Sequence, residues 1–389
     1  MADGRPDKPE RGASPDEIAG ERRFPCPQCG GRLAYDPARD ALACGHCGHV
    51  MPPLASDVDT PPLEELDYFA YARDLGAAMA DSAVENTHTV PCGGCGAEVR
   101  FEGVVTAKTC PFCDTPLSAP KAAQRRFRPS AVAPFLISER EARAALARWL
   151  KGRWFAPGDL AGAARAGRPL YGVYLPFWTF DADTRSDYVG QRGDVHQVMR
   201  WVMVTQNGAR RRVRKPVSEI RWRPARGRVR RHFDDVLVLA SKSLPDRLSR
   251  GLSGGAFDLD GLVPFAPDYL AGFGAEAYRV DLQEGYSAAQ AIMAQAIRRD
   301  VRFDIGGDRQ RIRRIDTTHD DVTFKHVLLP IWIAAYRYRG RVYRYVVNGR
   351  TGRVLGERPW SPIKVAVSAA FALAALIALI WIGMLFSSF

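Results

Sequence analysis

The eight cysteines of this chain all stand in Cys-x-x-Cys pairs: Cys26/Cys29, Cys44/Cys47, Cys92/Cys95 and Cys110/Cys113. Such a turn sets two thiolates on one edge of a tetrahedron, and two turns together complete a four-cysteine site for Zn2+. The second pair follows the first after 14 intervening residues, and the fourth follows the third after the same 14. Adding 66 to each cysteine number of the first set gives the second set, and Pro25, Gly30, Leu33 and Tyr35 map onto Pro91, Gly96, Val99 and Phe101 in the same way. The pattern is an internal duplication of a module of about 28 residues, two knuckles flanking a short hairpin in "YDPARDALAC" and "FEGVVTAKTC". Two zinc ribbons with one Zn2+ each are expected, with iron as the alternative metal in the same sites. A module this small builds no core of its own, so the metal must contribute folding free energy.

The competing chemistry is redox. "CGHC" (44–47) and "CPFC" (110–113) have the look of exchanging dithiols. That chemistry asks for a dithiol at a helix N-terminus in a thioredoxin-like βαβ setting, and no strand and long amphipathic helix bracket either pair. Each pair also has a partner pair at fixed distance. His46 and His49 are read as bystanders, since four thiolates already complete each site.

The elements that must position these sites come next. The first 23 residues are polar, charged and rich in Gly and Pro, and read as a disordered tail. The ribbons are expected over 24–51 and 91–118, with a helical spacer over 52–90 and a basic linker over 119–130 carrying Lys121, Arg125, Arg126 and Arg128. A β-rich α+β domain follows over 131–360. Within it Ser138 and Glu141 form a capping box ahead of a helix, and Ser287 and Gln290 mark the start of another. Asn207-Gly208 signals a hairpin between "VHQVMRWVMVT" and "RRRVRKPVSEIRW". "YLPFW" (174–178) and "LLPIW" (328–332) echo one another, either as relics of a duplicated β unit or as edge-strand core packing.

Residues Val365 to Phe386 run for 22 positions without a charge, about 33 Å as a helix against a hydrocarbon core of about 30 Å. A C-terminal transmembrane anchor is expected over 361–389. Arg353, Arg358 and Lys364 precede it and no charge follows, which by the positive-inside rule keeps the bulk of the chain in the cytoplasm of a single-pass inner-membrane protein. Ala366, Ala370, Ala374 and Ala378 would line one helix face, through which the span could form a homo- or hetero-oligomer. The fold class is therefore α+β: two small four-cysteine zinc ribbons, a β-rich α+β cytosolic domain and one C-terminal transmembrane helix.

Lys and Arg outnumber Asp and Glu by 55 to 43, so anionic partners are favoured. The charge is densest in the hairpin: Arg210, Arg211, Arg212, Arg214, Lys215, Arg221, Arg223, Arg226, Arg228, Arg230 and Arg231, with Glu219 as the lone acid. Arg221, Arg223, Arg226, Arg228 and Arg230 would make one strand face strongly positive. Anionic inner-leaflet lipid is the first expected partner of this surface, and nucleic acid the second. A solvated face paired with acids such as Asp234 and Asp235 is the plainer reading. No phosphate loop, H-E-x-x-H or G-x-S-x-G motif occurs, and His196, His232, His319 and His326 lack telling acid spacing. No catalytic residue is assigned and the chain is read as non-enzymatic.

The paired ribbons, followed by "LPFWTFDA", "DDVLVLAS", "YLAGFGAEAY", "FKHVLLPIW", "VNGRTGRVLGERPWSPIK" and the terminal apolar segment, resemble a family of bacterial membrane-anchored zinc-ribbon proteins. Members are often described as TFIIB-type zinc-ribbon proteins, and some are likened to primosomal protein N′, a superfamily II helicase. This chain contains no helicase motor motifs. Some relatives occur beside SPFH-domain and phage-shock-type membrane-stress proteins, which implies an adaptor or scaffold at the membrane. The sequence-level expectation is thus a tail-anchored adaptor whose ribbons recruit a protein partner. A membrane-tethered nucleic-acid-binding protein and a Cys-x-x-Cys oxidoreductase are the alternatives.

Overall fold

The computed structural model describes residues 24–53, 63–73, 84–87, 89–95, 97–100, 110–113, 115, 117, 124–152, 154–155, 157, 170–206, 209–253, 257, 259–338, 341–357 and 359–387. The first cysteine module is a three-stranded antiparallel sheet of β1 (Leu33–Asp36), β2 (Ala41–Cys44) and β3 (Val50–Met51). After it come β4 (Leu66–Asp67), α1 (Tyr68–Arg73), β5 (Val84–Thr87), β6 (Thr89–Pro91), β7 (Glu98–Arg100), β8 (Gln124–Phe127), β9 (Ala131–Val132) and α2 (Glu139–Lys151). The large domain continues with β10 (Tyr171–Gln206), β11 (Ala209–Leu239), α3 (Asp246–Ser253), β12 (Val263–Pro264) and β13 (Gly274–Glu276). It ends with α4 (Leu282–Ile305), β14 (Arg309–Tyr338), β15 (Arg341–Asn348), β16 (Val354–Gly356) and α5 (Pro362–Ser387).

Two long strands form the spine. β10 and β14 run antiparallel from Tyr171 opposite Ile333 to Gly193 opposite Arg309. The two echoed segments meet here, with Tyr174 opposite Pro330 and Pro176 opposite Leu328. They lie inside the sheet rather than at its edge, and their prolines have a positional reason. The outer side of β10 is taken first by β13, at Val173 and Tyr174, then by β11 from Phe177 onward. The outer side of β14 passes from β9, at Val327 and Leu328, to β15 from Ile331. Pro176 and Pro330 each sit at the handover, where no ladder N–H is required. Their carbonyls are still used, accepting from Ala240 N and Gly349 N at 2.9 Å each.

Both faces of this spine are apolar, and each is covered. Tyr174, Leu328 and Trp332 pack with the first cysteine module, Phe135 and Leu146 of α2. Further along the same face, Trp178, Phe180 and Phe324 meet Ala289 and Met293 of α4. On the reverse, Leu175, Phe177, Leu329 and Ile331 pack with the second cysteine module and with Leu248 and Leu252 of α3. The duplicated modules therefore clasp opposite faces of one strand pair.

Three expectations change. Within 52–90 the described helix spans only Tyr68–Arg73, and β4, β5 and β6 are strands. Tyr68 is buried against Tyr286, ring centroids 4.1 Å apart, and β4 adds to the edge of β14 at Thr323 and Phe324. Tertiary packing thus breaks the helix that the local pattern favours. Part of the basic linker is strand β8, paired with β5, and its Arg126 forms an ion pair with Glu98 of β7. Helix α4 begins a turn and a half before Ser287: Asp281 caps it, accepting from Glu284 N at 2.7 Å. The buried stripe Leu282, Tyr286, Ala289, Met293 extends to that cap. The capping box at Ser138 and Glu141 is present as expected.

Where the spine leaves the core, Lys325 is 5% exposed. Its ammonium lies 2.8 Å from Glu65 Oε1, 2.9 Å from Asp235 Oδ1 and 3.8 Å from Asp181 Oδ2. Burial opposes the charge, but the Glu65 and Asp235 hydrogen bonds and the Asp181 charge hold it above the ordinary lysine range. Lys325→Met should lower unfolding free energy by about 3 kcal/mol, because it strands the buried Asp181 carboxylate and the half-buried Asp235 without their cation. A shift of the urea midpoint against wild type checks this, with Lys325→Arg expected to lose less.

Candidate functional site

In each cysteine module backbone hydrogen bonds shape the turns that carry the sulfurs. Cys26 N donates to Gly31 O, and Gly30 N to Cys26 O at 2.8 Å; Cys92 N repeats the first bond with Ala97 O at 2.8 Å. Gly30 and Gly48 adopt φ of 69° and 77°, the left-handed turn that folds each knuckle back. The resulting Sγ–Sγ separations are 3.5 Å for Cys26/Cys47, 3.6 Å for Cys29/Cys44, 3.4 Å for Cys92/Cys113 and 3.7 Å for Cys95/Cys110. Within each set of four the sulfurs all lie within 4.8 Å of one another. A tetrahedron with Zn–S of about 2.3 Å has an edge of about 3.8 Å, whereas a disulfide requires about 2 Å. Both tetra-cysteine clusters can therefore hold a metal ion.

In each set one sulfur is drawn towards its thiolate, while Cys29 and Cys47 in the first and Cys110 and Cys113 in the second are pushed the other way. Backbone N–H groups of Cys47 and His46 pull the Cys44 thiol down to about 6. The Cys110 thiol, then the Ala97 N–H, draw Cys95 down to about 5. Metal binding needs thiolates, so each site begins with one cysteine poised to ionise.

The two modules are seated differently. The first docks through its hairpin: Tyr35 N donates to Ala271 O at 3.0 Å, and the Tyr35 and Tyr269 rings sit 5.4 Å apart, edge to face. Its knuckles point outward, with Cys29, Cys47, Gln28 and His46 exposed. The second is built into the main sheet, β7 pairing with β13 at Val99/Glu276 and Arg100/Ala275. Phe112, the counterpart of His46 under the 66-residue shift, is fully buried. Its hairpin, 101–109, lies outside the described residues. Beside it Glu276 is buried, accepts from Ser243 Oγ at 3.0 Å, and is pushed up to about 8 by burial. Sequence reasoning missed Glu276, which carries no motif.

Asp181, Asp234 and Asp235 also lie close enough to hold a cation. The Lys325 ammonium already contacts Asp181 and Asp235, so this cluster is read as structural.

The basic hairpin is a ribbon of β10 and β11, paired from Ala182/Phe233 to Gln206/Ala209 without a register break. Asn207 and Gly208 at its turn lie outside the described residues. Strand alternation divides its cations between two faces. Arg210, Arg212, Arg214, Arg226, Arg228 and Arg230 share one face; Arg211, Lys215, Arg221, Arg223 and Arg231 share the other. The single positive face expected from Arg221 to Arg230 does not form, because the three-residue step from Arg223 to Arg226 changes side. Acids answer two of these, Arg228 Nε lying 2.7 Å from Asp187 and Arg231 3.1 Å from Asp300, while Glu219 pairs with Arg200 of β10. Arg214 lies over the Trp201 ring at 5.9 Å. Among the described residues Asp234 and Asp235, the acids named from sequence, form no ion pair with these arginines, and Asp235 is taken by Lys325.

Helix α5 is long and apolar enough over Pro362–Met384 to cross a membrane, and no part of that window is buried. The chain reaches it from β16, whose Gly356 is level with Ala334 through β15. Met203 lies about 30 positions further along β10, on the order of 100 Å at ~3.3 Å per residue.

No family model and no solved structure matches this chain. It is 27% identical over 346 residues to a Bacillus subtilis (strain 168) protein named "Uncharacterized protein YdjG", covering 88% of this chain and 92% of that protein.

Two measurements test the site. The full chain should bind two metal ions, and the first module should release its ion to a chelator sooner because Cys29 and Cys47 are exposed. Cys29→Ser should leave one ion and a folded domain, whereas Cys92→Ser should also destabilise the sheet, read by metal analysis and thermal unfolding. Glu276 gives a pH signature. The folded chain keeps its proton to about pH 8, while an unfolded one releases it near 4.5. Stability from this group is greatest below 4.5 and falls as pH rises through 8, so Glu276→Gln should flatten the pH–stability curve in that window.

Proposed function

We propose that this protein is a membrane-anchored adaptor that holds two Zn2+ ions and recruits a protein partner through its first cysteine module. The observation that carries this reading is the unequal seating of two modules that began as copies. The second spends its knuckle on the core, with Phe112 buried, while the first presents Gln28, Cys29, His46 and Cys47 to solvent. A rigid, metal-stiffened surface facing outward fits recognition better than packing. Zinc suits four thiolates in tetrahedral spacing. Helix α5 would hold the chain in the cytoplasmic membrane, with Arg353, Arg358 and Lys364 keeping the large domain on the cytoplasmic side.

The resemblance to bacterial membrane-anchored TFIIB-type zinc-ribbon proteins points the same way, and with it a place in membrane-stress or SPFH-type assemblies. The oxidoreductase reading has less support, since each Cys-x-x-Cys contributes sulfurs to a four-sulfur cluster.

The test is a nuclease-treated co-purification of the full chain from membranes. A partner should be recovered with wild type and reduced at least about tenfold by Gln28→Glu/His46→Asp, a variant that should retain both metal ions. A partner retained by that variant, or recovery of nuclease-sensitive material alone, would count against the adaptor.

A further inference from the structure

β14 ceases to pair with β10 at Gly193, and Asp308 closes the ladder. Its N–H donates to Gly193 O at 3.0 Å, and its carboxylate accepts the Val195 N–H at 2.7 Å. Beyond that point β10 has β11 on one side and, among the described residues, no strand on the other. Alternate residues of a strand turn their backbone groups to alternate sides. Val195 donates towards the vacated side, so Gln197, Met199, Trp201, Met203 and Thr205 direct their N–H and C=O groups to the open edge.

The two edges of this ribbon are treated oppositely. On β11, Pro216 and Pro224 stand opposite Met199 and Gln191, positions whose N–H groups would face outward. With the neighbouring arginines they guard that edge against pairing. From Val195 to Gln206 the β10 edge has no proline and one fixed charge, Arg200. Met199, Trp201 and Met203 are 54%, 60% and 60% exposed. A two-stranded ribbon standing alone is marginal in water.

We propose that the open edge of β10 pairs with the same edge of a second copy of this chain, antiparallel about a twofold axis through Trp201. The segment is self-complementary in that register. Trp201 meets the second copy's Trp201, Met199 meets Met203 and Gln197 meets Thr205. Between them Val198 meets Val204, and Arg200 meets Val202 rather than another cation. The arginines of β11 fall on the outermost strands of the resulting four-stranded sheet. They are about 14 Å apart across it, beyond a Debye length of about 8 Å. A twofold axis normal to the sheet keeps the same face of both ribbons on one side and runs their strands in opposite directions. An anionic lipid or nucleic acid would engage the arginines but leave the backbone of the open edge unpaired. This inference does not depend on the adaptor reading.

Full-length protein in its membranes, with benzoylphenylalanine replacing Trp201, provides the test. Irradiation should yield an adduct of twice the 43.0 kDa chain mass. Gln197→Pro and Met203→Pro should each cut that adduct about tenfold or more, since each lost donor is lost twice across the axis. Ser218→Pro, on the guarded edge, should leave it intact. Metal content of two ions per chain certifies that each variant folds. An adduct that survives both β10 prolines, falls equally with Ser218→Pro, has another protein's mass or is nuclease-sensitive, or fails to form, overturns the proposal.

Discussion

A strand pair that is apolar on both faces must be covered twice. In β10 and β14 the residues of "VYLPFWTF" and "VLLPIWI" alternate sides, and both sets are buried. Burial of this kind contributes about 25 cal/mol per Å2 of apolar surface, so neither face can be left to water. Much of the remaining architecture answers that demand. Helices α2 and α4 and the first cysteine module take one face; α3 and the second module take the other. The modules are too small to bury a core alone, and the spine is too apolar to stand bare.

The same constraint explains where polar groups are allowed. Lys325 enters the buried region only because Glu65, Asp181 and Asp235 surround its ammonium. Glu276 enters only by keeping its proton and its serine partner. Past the bulges between Asp181 and Asp183, cover is reduced to α4 on one face, and charge returns to the other. Past Gly193 no strand or helix covers the ribbon among the described residues, and its charge gathers on β11. The strands thus grade from doubly buried, through half-covered, to open.

Duplication followed by divergence accounts for the cysteine modules. Their backbone turns coincide, Cys26 to Gly31 repeating as Cys92 to Ala97. Their middle residues do not: His46 in one knuckle is exposed and Phe112 in the other is buried. That difference was written in the chain as "CGHC" against "CPFC". It was readable only as composition until the sheet showed which module was committed to the core.

The sequence by itself determined what depends on local spacing. The two four-cysteine sets, the Ser138–Glu141 cap and the apolar span of α5 are each settled by residues a few positions apart, or by one repeated turn. Tertiary structure decided whatever depends on which faces meet. A run buried on both sides shows no period of two, so the sequence pattern marks only fragments of strands that are 36 and 30 residues long. The start of α4 moved because Leu282 found a core to join. The arginines split into two faces because register, not density, assigns a side chain to a side. The end of β14 at Gly193 left one edge of β10 open, and no local pattern in β10 announces where its neighbour stops.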